Sequence, residues 1–301
     1  MEKIILTAKD GYHLHLAVFE AEHPLGYIQV LHGMEEHKER YETFAKRMCA
    51  AGYTVITSDM RGHGEHAPVP GFFREKDGCR YLLSDQVQIT NYIKKRFGVQ
   101  KVMIFAHSMG TIIARNLLRT QSQNYEKMVL SGYPNDPGAL SVFRGFFLTN
   151  VLMPFVGPFY HSTLVQYGAV GVFHKKIPQA KTPVDWICSD ENVVQQYLKD
   201  PYCGHGFTIS AFRDLFVLTT AMHQRGHYRN VNTALPILLI RGTEDPCTGF
   251  DRGAKESARV LRRAGFSNLM EITYPRMRHE LLNEKENEKV YADIIGFYKK
   301  P

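Results

Sequence analysis

Ala106-His107-Ser108-Met109-Gly110 is the segment whose residue types and spacing could do chemistry. A serine hydroxyl becomes a nucleophile when a base takes its proton and an acceptor holds the base. Small residues two before and two after the serine let the backbones pass on a tight turn, which holds the hydroxyl clear of the chain. Two later segments offer the partners. Arg241-Gly242-Thr243-Glu244-Asp245-Pro246 supplies an acid, Asp245, with Glu244 its nearest competitor. Pro275-Arg276-Met277-Arg278-His279-Glu280 supplies the base, His279. The implied reaction is acyl transfer. It also needs backbone N–H donors for the oxyanion, expected from Met109, directly after the nucleophile, and from Met34 in the His32-Gly33-Met34 loop.

Each segment must sit at the end of a strand, and the pattern provides the strands. Ile4 to Leu6 and His13 to Phe19 flank an Asp10-Gly11 turn and read as a hairpin. Strand–helix alternation follows. Short apolar runs at Tyr27 to Leu31, Thr54 to Thr57, Val102 to Phe105 and Met128 to Leu130 suit a buried parallel sheet. Helical spacing appears at Glu39 to Cys49, Leu82 to Phe97 and Thr111 to Gln121. After Ser131-Gly132 the alternation stops, to resume at Ile237 to Ile240, helix 252–263, strand Leu269 to Thr273 and helix 286–298. The serine thus lies between a strand and a helix, and Asp245 and His279 each follow a strand in the order Ser, Asp, His. This is the α/β-hydrolase arrangement, a mostly parallel sheet flanked by helices.

About 100 residues separate strand Met128 to Leu130 from strand Ile237 to Ile240, too many for a structureless loop. Residues 133–232 are therefore expected to be an inserted helical cap on a core of 1–132 and 233–301. Within it, Ala139 to Val151 places Leu140, Phe143, Phe147 and Val151 on one helical face. That face is expected to pack on the rest of the insertion; the alternative is that it lines an acyl tunnel or touches lipid.

The 301 residues carry a net charge of +7, with Lys and Arg dispersed and not interleaved with stacking aromatics, so no nucleic-acid partner is expected. Transient contact with an anionic membrane surface is compatible with that charge. Five cysteines without a C-x-x-C pair indicate neither a disulfide framework nor zinc, and Cys203, His205, His223 and His227 match no zinc spacing. No metal and no cofactor are expected. The first residues lack the apolar core of a signal peptide, so the expectation is a soluble, cytoplasmic protein of undetermined oligomeric state.

Several of these segments resemble the monoacylglycerol lipase and lysophospholipase branch of the α/β-hydrolases, a branch that includes serine aminopeptidase-type hydrolases. The resemblance rests on His32-Gly33-Met34-Glu35-Glu36-His37-Lys38-Glu39-Arg40-Tyr41, Asp59-Met60-Arg61-Gly62-His63-Gly64, Asp190-Glu191 with Tyr197 and Asp200-Pro201, and Arg276 to Glu284. It runs from about residue 10 to the C-terminus. It implies Ser108, Asp245 and His279 as a triad, Met34 and Met109 as oxyanion donors, a mobile cap, and an acyl-ester substrate. Two positions depart from the branch. Ala106 stands for the first glycine of the elbow, and Glu35 stands where many members have glycine, a charge that would narrow or re-aim the glycerol side of the pocket. Two other readings are compatible with the fold: an aminopeptidase or amidase using Asp185, Asp190 or Glu191 to hold a free amine, and a catalytically silent lipid-binding protein.

Overall fold

A computed structural model describes residues 1–135 and 138–300; Asp136, Pro137 and Pro301 of the spans above lie outside it. The hairpin is present: β1 (Glu2–Thr7) pairs antiparallel with β2 (His13–Phe19). It leads into β3 (Gly26–Leu31), α1 (Glu42–Ala50), β4 (Tyr53–Ser58), α2 (Gly78–Phe97), β5 (Val102–His107), α3 (Met109–Gln121) and β6 (Tyr125–Ser131). After a long excursion come β7 (Ile237–Gly242), α8 (Phe250–Arg263), β8 (Leu269–Tyr274) and α9 (Glu288–Lys299). The eight strands form one sheet in the order β1-β2-β4-β3-β5-β6-β7-β8, parallel from β4 onward.

Strands β4, β5 and β7 are buried at every position, which is why they read as continuous apolar runs instead of alternating ones. Apolar clusters cover both faces. One gathers Ile104, Leu117, Leu130 and Leu239 against α2, α3 and α8; the other gathers Phe44, Phe105, Ile240 and Ile294 against α1 and α9.

Between β6 and β7 the chain builds α4 (Ala139–Val156), α5 (Thr163–Gln166), α6 (Glu191–Lys199) and α7 (Ile209–His223). Helix α7 is no loose appendage. Phe212, Leu218 and Met222 join the core cluster that contains Met109, and Asn116 of α3 donates to the Leu218 carbonyl at 2.9 Å. Helix α4 packs on α7 through Gly145, where a Cβ would strike the Phe216 ring, and through the fully buried Thr149. The expected packing of Leu140, Phe143, Phe147 and Val151 on the insertion is therefore corrected: these residues are 62, 64, 62 and 43% exposed. The small-residue side of α4 faces inward because α7's rings fit against glycine and not against another phenylalanine. Among the described residues no helix is long and apolar enough to cross a membrane.

A tight crossing lies under Ser108. Gly110, in the first turn of α3, runs against the end of β3, and a Cβ there would collide with the Leu31 and His32 carbonyls. Gly110→Ala must push helix and strand apart, and overpacking of this kind costs about 1–3 kcal/mol. The expected result is a lower urea midpoint with an unchanged slope; an unaltered midpoint would show that the crossing is slack.

Candidate active site

Ser108 is buried at the strand-to-helix turn with φ +49° and ψ −120°. A left-handed backbone is strained for a side chain with a Cβ. Two bonds hold it there: its N–H donates to the Ser131 carbonyl of the neighbouring strand at 3.0 Å, and its carbonyl accepts from the Thr111 hydroxyl at 2.7 Å. Helix α3 begins at the next residue, so its unsatisfied N–H groups and the positive end of its dipole lie beside Ser108. Met109 is buried and Met34 half-buried.

The loop after β7 and the loop after β8 cross at Gly242, where a Cβ would strike the Met277 carbonyl. The crossing brings His279 Nδ1 to 2.9 Å from Asp245 Oδ2. Asp245 is fully buried, and its other oxygen accepts from the Cys247 amide at 2.8 Å. Glu244, the competing acid, lies instead toward Arg278, half exposed. With Asp245 accepting, Nδ1 carries the proton and Nε2 is left as the basic nitrogen. Among the described residues Nε2 has no hydrogen-bond partner, so no Ser108–His279 hydrogen bond closes the arrangement. In a ligand-free site such bonds are commonly long and tighten with substrate. Burial disfavours the His279 imidazolium, but the charge and hydrogen bond of Asp245 outweigh it, aided by Glu280 and Glu36, and the ring titrates above its ordinary value. Its neighbour His107, 4.7 Å away between ring centres, goes the other way: burial and the His279 charge push it down to about 4.

The sequence reading missed the residues that fix these loops. Trp186, from the insertion, packs its ring 4.8 Å from that of His279. Glu36 accepts from the Gly33 N–H, from the Tyr41 hydroxyl at 2.8 Å and from Arg40 at 2.7 Å. The same guanidinium forms a two-pronged bridge to Glu280 at 2.7 and 2.8 Å. The Met34 loop is thereby tied to the residue next to His279. Burial opposes ionisation of Glu36, yet Arg40, His107, His32 and the Gly33 amide bring it down to about 2. The spacing of Glu36, Arg40 and Tyr41 was visible in the sequence; the pairing of Arg40 with Glu280, 240 positions away, was not.

His32 accepts from the Met60 N–H through Nε2 at 2.9 Å, leaving Nδ1 to donate to the Gly33 carbonyl at 2.7 Å. A Cβ on Gly33 would sit 3.2 Å from that of Ser108, so the loop lies directly against the elbow. His63 supports the loop as well, accepting from the Glu35 N–H at 3.3 Å. Donor atoms of His37, Asp200 and Cys203 lie within 4.8 Å of one another, but both His37 ring nitrogens are engaged, by Glu39 at 2.8 Å and Asp200 at 2.9 Å. The comparable group of Asp245, Cys247 and His279 is the Asp–His pair itself.

Removing Arg40 would leave Glu36 and Glu280 buried without their shared cation. Arg40→Ala is expected to destabilise the fold by about 3 kcal/mol, read as a lowered urea midpoint. Loss of less than about 0.5 kcal/mol would mean that the bridge behaves as an exposed ion pair.

The sequence matches the serine aminopeptidase S33 family of hydrolases over residues 22–286. It is 27% identical to a monoacylglycerol lipase of Mycolicibacterium smegmatis, over 91% of this chain and 88% of that protein. A shorter stretch, 34% of this chain and 25% of the relative, is 33% identical to the lysophosphatidylserine lipase ABHD12 of Danio rerio. In structure it is similar to a thermostable carboxyl esterase from Bacillus coagulans in complex with glycerol, at TM-score 0.90 and 23% identity, covering 99% of this chain and 97% of that one. It is also similar to a soluble variant of monoglyceride lipase from Saccharomyces cerevisiae, at TM-score 0.75 and 16% identity, covering 99% and 94%. Fold, sheet order and sequence match agree: the chain belongs to the serine aminopeptidase S33 family and is a hydrolase of the α/β-hydrolase fold.

Proposed function

We propose that the protein cleaves monoacylglycerol- or lysophospholipid-like acyl esters through Ser108, His279 and Asp245. The observation that carries this reading is the buried Asp245–His279 hydrogen bond, with Nε2 unpartnered among the described residues, 4.7 Å between ring centres from His107, the residue before a serine on a left-handed turn at the start of a helix. Ser108 Oγ attacks the ester carbonyl while His279 Nε2 takes its proton. The oxyanion of the tetrahedral intermediate lies against the Met34 and Met109 N–H groups. Collapse expels the alcohol, which takes the proton from His279. Water, activated by the same nitrogen, then releases the fatty acid and frees the serine. None of these steps draws on a metal or an organic cofactor.

The small-molecule ester is supported by the relatives named monoacylglycerol lipase and lysophosphatidylserine lipase. Residues 133–232 serve as the cap. The outward apolar row of Leu140, Phe143 and Phe147, continued by exposed Phe155, Phe159 and Leu164, suits transient contact with the lipid surface that holds such substrates. The cysteines that the structure describes are free thiols, which supports a reducing compartment such as the cytoplasm. The aminopeptidase reading draws less support, because the acids it would use are engaged locally. Asp185 accepts from the Lys181 and Thr182 amides, Asp190 caps α6 and Glu191 pairs with Lys181.

A panel of monoacylglycerols, lysophospholipids and aminoacyl amides of graded chain length tests the substrate class. Acyl esters with an apolar chain are expected to give the highest kcat/KM; preference for the amides would refute the assignment. The pH profile tests the base. His279 must be neutral to accept a proton, and its pKa is raised, so kcat/KM should fall with decreasing pH through a midpoint above the ordinary 6.5 and level off at higher pH. Asp245→Asn should move that midpoint down and lower kcat by about 10⁴-fold. An unmoved midpoint would assign the titration to another group.

A further inference from the structure

Glu35 follows Met34 directly and adopts φ +57°, a left-handed conformation in which glycine would cost less. It is buried, and no ion pair with it is formed among the described residues. Burial pushes its carboxyl above the usual carboxylate range, opposed only by hydrogen bonds from Gln166 and the Gly206 amide. A strained, buried, cation-free acid is a costly choice, and the contacts it makes show what the cost secures.

Besides the Gly206 amide, three further contacts come from the 133–232 segment. Gln166 Nε2, at the end of α5, donates to the Glu35 carboxylate at 2.6 Å. The Glu35 carbonyl accepts from the Gly204 N–H at 3.1 Å and from the Tyr197 hydroxyl at 3.0 Å. The Gln166 carbonyl oxygen in turn accepts from the Phe207 N–H at 3.4 Å, fixing the amide's orientation. On the other side, His63 of the core holds the Glu35 N–H. The residue after the Met34 amide is thus gripped between core and insertion, and its carboxylate is held by the insertion. The peptide plane that carries the Met34 N–H is joined to the plane of the Glu35 N–H, which His63 holds, through the two torsions of Met34 alone.

We propose that Glu35 is a positioning residue: its carboxylate on Gln166 keeps the Met34 amide aimed at the reacting oxygen, so that acyl transfer depends on how the insertion is seated. This rests on the reading of Ser108 as nucleophile and Met34 as oxyanion donor. A displaced donor weakens a bond made in the transition state, so the loss falls on kcat and not on KM.

The test uses p-nitrophenyl acetate, whose acyl group is too short to need an acyl tunnel, with thermal melting measured alongside. Glu35→Gly and Gln166→Ala should each lower kcat about tenfold with KM little changed, as expected for loss of one hydrogen bond to a charged group. The double variant should be no slower than either single one. Glu35→Gln, which keeps a carbonyl acceptor, should return kcat to within about twofold of wild type. Glu35→Gly should melt no lower than wild type, because glycine is at ease at positive φ; this separates aim from stability. Wild-type kcat in both single variants, independent multiplying effects, or a Glu35→Gln as slow as Glu35→Gly would each overturn the proposal. Ser108→Ala serves as the control. If it keeps full activity, the assignment of the nucleophile fails, an outcome distinct from a dead Ser108→Ala accompanied by fully active Glu35 and Gln166 variants.

Discussion

The Arg40 guanidinium lies between two buried carboxylates, Glu36 on the loop after β3 and Glu280 beside His279. Burial opposes ionisation of Glu36, since removing a charge from water costs several kcal/mol, and the Arg40 charge is the first thing that offsets it. One planar cation shared by both, with a two-pronged bridge to Glu280, leaves the two carboxylates little freedom in their relative positions. Geometry elsewhere follows from this. Glu36 also holds the Gly33 amide, and Gly33 lies against Ser108. Glu280 also receives support from the insertion through the Ile187 carbonyl, to which its amide donates at 2.6 Å. The loops that leave the sheet at β3 and β8 are therefore registered to one another by polar contacts, with the β5 elbow in close contact at Gly33, while the apolar layers above and below fix only the strands.

The pairing also sets the titration pattern. Glu36 and Glu280 add negative potential at His279 to that of Asp245 and favour its protonated form. His107, equally buried but facing the His279 charge, is held neutral. Two imidazoles less than 5 Å apart are thus driven in opposite directions by their surroundings. Such divergence is what separates a proton-transfer group from a packing ring.

How much of this was legible in the sequence depends on the range of the interaction. The Asp10-Gly11 hairpin, the strand before Ser108 and the helix after it follow from local spacing, and each is present. Asp245 was legible because it follows a continuous apolar run, buried throughout as β7, and His279 because it follows Leu269–Tyr274, the strand that forms the sheet edge. Helix α4 shows the limit. Its wheel displayed a row of large apolar residues, but α4 carries apolar groups on both sides, and the wheel does not say which side meets α7. Fit decided it: the Phe216 ring takes the glycine side, and the phenylalanine row stays outside. Trp186 over His279, Arg40 on Glu280 and Gln166 on Glu35 were illegible for a related reason, since each joins positions more than 90 residues apart.

The central claim is that Ser108 is the nucleophile, and the most direct measurement is covalent. A fluorophosphonate probe reacts with a serine that has an activated hydroxyl and an oxyanion site beside it. Labelling the native protein and locating the adduct by peptide mass spectrometry is predicted to place it on Ser108, with no adduct on Ser108→Ala. An adduct on another residue, or unchanged labelling of Ser108→Ala, would contradict the account.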